Sequence, residues 1–139
     1  MPIRAEQRAL YPVDWPQLSA SIRFGRANGR CEGCGRPHGK LVLCVADGRW
    51  FDRQDGSWRD DQGHRTARPH KPYRLRWTLV RLAACHLDHD PTNSELQNLM
   101  AWCQRCHLLH DRPEHRRRAA ITVLLRRALG DLFLGPYRL

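Results

Sequence analysis

Six cysteines and eight histidines stand in a chain of 139 residues, and the cysteines carry the clearest chemistry. Four of them fall in two identical spacings, Cys31-Glu32-Gly33-Cys34 and Cys103-Gln104-Arg105-Cys106. Thiolates two residues apart can reach one ion from a tight turn, and two such pairs make the four-thiolate set of a structural zinc site. Gly33 and Gly35 suit the first turn, because glycine lets the backbone close toward the sulfurs. Cys103 and Cys106 are expected to open a helix, whose N-terminal partial positive charge favours thiolates. With 68 residues between the pairs, one ion would join distant parts of the chain. Disulfides are the weaker alternative, since no secretory signal leads the sequence and C-x-x-C pairs outside redox folds usually hold metal. Cys44, in the apolar run 41–45, reads as a buried strand residue.

The charge balance points to a polyanionic partner. There are 24 basic against 14 acidic residues, and all the basic residues except Lys40 and Lys71 are arginine. Arginine grips phosphate oxygens bidentately and stays charged at any ordinary pH. The plain alternative is a solvated surface with a codon bias. No apolar run approaches the roughly 20 residues of a bilayer span, and residues 1–6 lack the apolar stretch of a signal peptide. A cytoplasmic protein with no membrane partner is therefore expected, in a single domain spanning 1–139.

The elements that must position these groups can be read in order. Residues 1–13 look like a lead-in arm. Asp14, Pro16 and Gln17 suit a helix start, and a helix over 14–28 would face Leu18 and Ile22 inward. Arg23, Arg26 and Arg30 would then be available to solvent or phosphate. Segments 41–46 and 49–52 read as strands around an Asp47-Gly48 turn. Residues 53–72 show no periodicity and read as a mobile loop. A strand over 73–84 ends near His86, and a polar turn over 88–96 precedes a helix over 98–109. A last amphipathic helix over 113–129 carries Ile121, Leu124, Leu125, Ala128 and Leu129 on one stripe, which suits docking. Arg116, Arg117 and Arg118 lie largely off that stripe.

The segment Cys85-His86-Leu87-Asp88-His89-Asp90-Pro91, followed by Asn98-Leu99 and by Cys103-Gln104-Arg105-Cys106-His107, resembles the core of the HNH (His-Asn-His) nucleases. The resemblance covers about residues 31–110. It implies an α+β fold, a small zinc-stapled ββα-metal core with flanking helices, in which two strands and a helix surround one catalytic divalent ion. It implies an endonuclease that hydrolyses DNA phosphodiester bonds in a bacterial, phage or mobile-element setting.

Such hydrolysis needs an activated water, a cation on the developing charge and a group that holds the base in place. Imidazole, with an ordinary pKa near 6.5, can take the proton at neutral pH. His86 fits the base position best, with His89 as the alternative and Asn98 as the positioning residue. The family's usual ligand position before the base is occupied here by Cys85, which reads as a buried structural thiol. The catalytic ion (Mg2+, Mn2+, Ni2+ or Zn2+) would then be held by Asp88 or His89 together with His107. His110 is a possible substitute ligand, whereas His38, His64, His70 and His115 read as surface residues. Arg23, Arg26, Arg105, Arg116, Arg117 and Arg118 are the candidate DNA-backbone contacts, on a monomer or homodimer. Two other readings stand beside this one: a zinc-braced DNA-binding module without activity, and a nuclease directed at RNA.

Overall fold

Alternating burial along short segments, rather than long apolar helices, organises the first unit of the chain. The structure is a computed structural model that describes residues 3–70 and 74–133, with side chains as far as residue 129. It is a small mixed α/β protein that divides into two compact units, Met1–His107 and Leu108–Leu139. Helix α1 (Trp15–Ala20) carries Pro16 in its first turn and runs into a wider helical turn over Ser21–Arg26. Asp14 stands at its N-cap, yet its side chain makes no capping hydrogen bond.

Strands β1 (Leu41–Cys44), β2 (Trp50–Asp52), β3 (Ser57–Arg59), β4 (Arg65–Thr66) and β5 (Arg76–Leu79) form one antiparallel sheet in the order β4-β3-β2-β1-β5. The Asp47-Gly48 turn joins β1 to β2 as expected, with Gly48 at a φ of +100°. Residues 53–70, expected to be a mobile loop, instead carry β3 and β4. The cause is long-range. Asp52, 1% exposed, accepts from Arg30 Nη1 and Arg59 Nε at 3.1 Å each and from the Gln54 backbone N–H at 3.0 Å. A buried carboxylate needs such partners, and satisfying it folds β3 back onto β2. Arg30 is thereby committed internally, not left to phosphate. Lys71 and Tyr73 lie outside the described residues.

The expected strand over 73–84 is two strands in different sheets. Among the described residues strand β6 (Leu82–His86) pairs only with β7 (Leu99–Cys103), with His86 opposite Leu99 and Leu82 opposite Cys103. Residues 98–103 are thus not the start of a helix. Leu99, Ala101 and Cys103 are all buried while Met100 and Trp102 are half-buried, which is a strand's period of two. Helix α2 begins at Gln104 and continues to Phe133 through Pro113, so the two expected helices are one.

Two apolar clusters flank the β6–β7 hairpin. Val42, Trp50, Val80 and Leu82 pack with Cys31, Cys34 and Cys103 beneath the large sheet. Ile22, Leu99 and Ala101 pack with Trp15, Leu18 and Ala84 under the first helix, where Leu18 and Ile22 face inward as their spacing predicts. Each large side chain buried this way contributes about 1.5–3 kcal/mol. In the second unit the expected docking stripe is open, with Ile121, Leu124, Leu125 and Leu129 all exposed. No helix among the described residues is long and apolar enough to cross a membrane.

Candidate metal centre and polar site

The four paired cysteines converge. Their sulfurs lie within 4.8 Å of one another, and Cys34 Sγ is 3.6 Å from Cys103 Sγ. A disulfide would be about 2.05 Å, whereas two ligands on a tetrahedral ion with Zn–S near 2.3 Å sit about 3.8 Å apart. The group can therefore hold a structural metal such as zinc. The first knuckle turns as its glycines require, with the Gly35 N–H bonded to the Cys31 carbonyl at 2.8 Å and Gly35 at a φ of +76°. A Cβ at Gly33 would lie 3.0 Å from Cys106 Sγ, which keeps that position small.

The surroundings fit a thiolate cluster. The Cys103 backbone N–H donates to Cys31 Sγ at 3.2 Å, and Arg36 Nη1 donates to Cys34 Sγ at 3.1 Å. The four thiols share hydrogen bonds that pull Cys103 well below its ordinary pKa and Cys31 down to about 7 while pushing Cys34 and Cys106 up. Arg36 is 3% exposed and also donates to the Gly48 carbonyl at 2.8 Å. Four thiolates on a divalent ion carry a net charge of about −2, and a buried guanidinium offsets part of it. Arg36 carries no spacing signal, and sequence reasoning passed over it.

About four strand residues away, at roughly 3.3 Å each, the other end of the hairpin gathers polar groups. Asn98 and Asp88 bind reciprocally: Asn98 Nδ2 donates to Asp88 Oδ1 at 2.8 Å, and the Asp88 N–H donates to Asn98 Oδ1 at 3.2 Å. Asn93 Nδ2 donates to Asp88 Oδ2 at 2.7 Å. Hydrogen bonds from Asn98, the Asp90 N–H and Asn93 bring the Asp88 carboxyl down to a pKa of about 2. The Leu87 N–H donates to the Asn98 carbonyl at 2.8 Å, closing the loop. His89 sits in a turn at a φ of +61°, its N–H 3.4 Å from the His86 carbonyl. That conformation is uncommon for a residue with a Cβ.

His86 ends β6 and faces the first helix. Its ring stacks on Trp15 at 5.2 Å and 15°, meets Tyr11 edge-on at 5.6 Å, and has Nε2 3.4 Å from Ser94 Oγ. Burial lowers its pKa, with Asp88 and Asp90 opposing the shift. His107 follows Cys106 directly in the first turn of α2, and His110 lies three residues further on, in the second unit. Cys85 is buried within β6, its thiol 3.4 Å from the Ala83 carbonyl.

Several arginines expected on phosphate are held internally. Arg26 forks onto Glu32 at 2.9 and 2.8 Å, donates to the Leu96 carbonyl at 2.9 Å and also reaches the Leu99 carbonyl. Glu32 in turn accepts from the Ala101 N–H at 2.7 Å. Burial acts to raise the Glu32 pKa, but the bonds from Arg26 and Ala101 outweigh it and lower the pKa. Arg26 thus ties the first knuckle to the loop that carries Asn98. Arg105 packs against the hairpin turn, where a Cβ at Gly48 would lie 2.6 Å from Arg105 Nη2. Arg23 Nε donates to the Ser19 carbonyl at 3.2 Å, and its guanidinium lies over Phe24. Arg116 is exposed, as are Arg117 and Arg118, both bonded to Glu114. His38, expected at the surface, accepts the Leu82 N–H at Nδ1 at 3.0 Å. Glu32 and Trp15 were likewise not singled out in the sequence, because each acts through a distant partner, Ala101 and His86; Asn93, whose partner Asp88 is five residues away, carries no spacing signal of its own.

Compared with protein-family models, curated proteins and solved structures, the chain matches none of them. The site's chemistry is therefore read from its own residues.

Proposed function

We propose that the protein is a zinc-braced, metal-dependent endonuclease of the HNH type acting on DNA phosphodiester bonds. The observation that carries this reading is the order of parts. A strand ends in His86, a loop holds Asp88 against Asn98, and a return strand leads through Cys103 and Cys106 to His107. His86 serves as the base. Its lowered pKa keeps the imidazole neutral at pH 7, able to take a proton from water. Asn98 positions the Asp88 carboxylate and, through the Leu87 N–H, the backbone that follows His86. A divalent cation held by Asp88 and His107 would supply positive charge for the developing phosphorane and leaving oxygen. Zinc is the ion that best suits the four thiolates. A net charge of +10 favours the phosphate backbone as partner.

A second reading has its own support. Trp15 covers one face of His86, and both Asp88 oxygens already accept hydrogen bonds, an arrangement that suits a DNA-binding module without activity. Incubating supercoiled plasmid with Mg2+, Mn2+ or Ni2+ separates the two. Nicking by the wild type that His86→Ala abolishes, with duplex affinity retained, is the expected result. Nicking lost only in His89→Ala would move the base three residues along. No nicking with any ion, and equal DNA binding by all three proteins, would leave the binding module. Competition between duplex DNA and structured RNA tests the choice of substrate.

A further inference from the structure

The large sheet has two faces of different character. Val42, Trp50 and Asp52 point inward and are buried. Residues directly opposite one another across a sheet share a face, so the register assigns the other one. Trp58 is opposite Phe51, Phe51 opposite Leu43, and Leu43 opposite Trp77. These four make a transverse row across β3, β2, β1 and β5, with Leu41 opposite Leu79 in the next row. Trp77 is 56% exposed, and Leu41, Leu75 and Leu79 are also exposed, while Leu43, Phe51 and Trp58 are half-buried, with the Phe51 and Trp58 rings 5.5 Å apart. An antiparallel sheet normally turns polar residues to solvent, and this one turns an exposed tryptophan, two half-buried aromatic rings and several leucines.

We propose that this outer face is a stacking platform for single-stranded DNA, with Trp58, Phe51 and Trp77 receiving bases. The choice of DNA over RNA rests on the functional reading above; the platform itself does not. Two features select a nucleic acid over a protein or a second copy of the chain. Arg53 already lies over the Trp77 ring, 5.9 Å from its centroid, so a cation and a π-face are presented together. The end of the sheet where β1 begins and β2 and β5 finish also collects Lys40, Arg53 and Arg81, all exposed. Asp55, between β2 and β3, is bonded to Arg59 and Arg65. A second copy would bring like charge to the same place. Rings on a sheet with cations at its rim receive unpaired bases, which stack without sequence preference. Strand spacing puts Trp58 and Trp77 about 14 Å apart, room for successive bases.

The test uses the full chain and labelled oligothymidylate of about 15 nucleotides, within the usual site size, in buffer without added divalent ions. Binding is expected to quench tryptophan fluorescence. Trp77→Ala should weaken it about tenfold, as loss of one stacked base does. Trp77→Phe should restore most of the affinity, Arg53→Gln should weaken it less, and duplex affinity should stay unchanged in Trp77→Ala. His86→Ala should bind the oligomer like wild type, so a failed nuclease reading and a failed platform give different results. Equal affinity of Trp77→Ala and wild type overturns the proposal. So does a wild-type dimer in light scattering that Trp77→Ala dissociates, which would mean that a second copy covers the face. Tighter binding of oligouridylate overturns the choice of DNA.

Discussion

The two ends of the β6–β7 hairpin are built on opposite terms. At the end of Leu82 and Cys103, three of the four sulfurs are buried and Cys106 is half-buried, and Arg36 and the core around Trp50 close over them. At the end of His86 and Leu99, the side chains are polar and partly open, and hydrogen bonds of Asp88, Asn93 and Asn98 hold them in place. Arg26 and Glu32 join the two. The difference teaches a division of labour. The sulfur end supplies rigidity that a small core lacks, which frees the polar end to keep groups in reach of solvent.

The largest effect is expected from attacking the sulfur end. Structural zinc sites contribute about 10–16 kcal/mol in small peptides, comparable with a whole domain's stability. Cys106→Ser, or a strong chelator, should unfold the first unit, seen as loss of near-ultraviolet circular dichroism together with release of one zinc per chain. Soluble, folded protein without bound metal would show that the two ends do not differ in this way. Cutting the link comes next. Arg26→Ala removes bonds to Glu32 and to two carbonyls and should cost about 2 kcal/mol, read as a lower urea midpoint. Faster hydrogen exchange is expected at residues 96–99, with the cysteine cluster still protected. Equal exchange at both ends would mean that Arg26 does not couple them.

Within the polar end, Asn98→Ala should cost about 1 kcal/mol and return the Asp88 carboxyl toward its ordinary pKa of 3.8, followed by carbon-detected NMR titration. Under the nuclease reading it should also slow cleavage about 10–100-fold, as lost ligand partners do. The smallest effect concerns His38, which accepts the Leu82 N–H where the sulfur end of β6 begins. Burial first, then Arg23 and Arg81, lowers its pKa below 6.5. Folding thus favours neutral His38, so its contribution is present above pH 6.5 and is lost as the pH falls through the lowered value. Between pH 7 and 5 the wild-type Tm should fall more steeply than that of His38→Gln; parallel curves would remove His38 from that balance.

Much of the sulfur end could be read in advance because its signal is local. A C-x-x-C turn is complete within a few residues, and Asp47-Gly48 marks its own hairpin. Leu18 and Ile22 were legible as an inward stripe for the same reason. The strands β3 and β4 were not, since the carboxylate that organises them, Asp52, is satisfied by Arg30, 22 residues earlier, and by Arg59. Residues 98–103 suit a helix by sequence and become a strand because β6 offers them a partner. Charge was the least legible property. Arg26, Arg30, Arg36 and Arg105 look alike in the sequence, yet the first three are bonded within the protein and Arg105 packs against the Asp47-Gly48 turn.

By itself, then, the sequence determined which residues can share a metal, where the chain must turn, and that the chain carries an excess of arginine. Only the tertiary structure decided which arginines face inward, which strands pair, and that His86 rests against Trp15 beside the Asp88–Asn98 pair. The physical reason is range. Turn and ligand preferences are set by neighbours along the chain, whereas burial, ion pairing and strand register depend on partners that meet only when distant segments fold together.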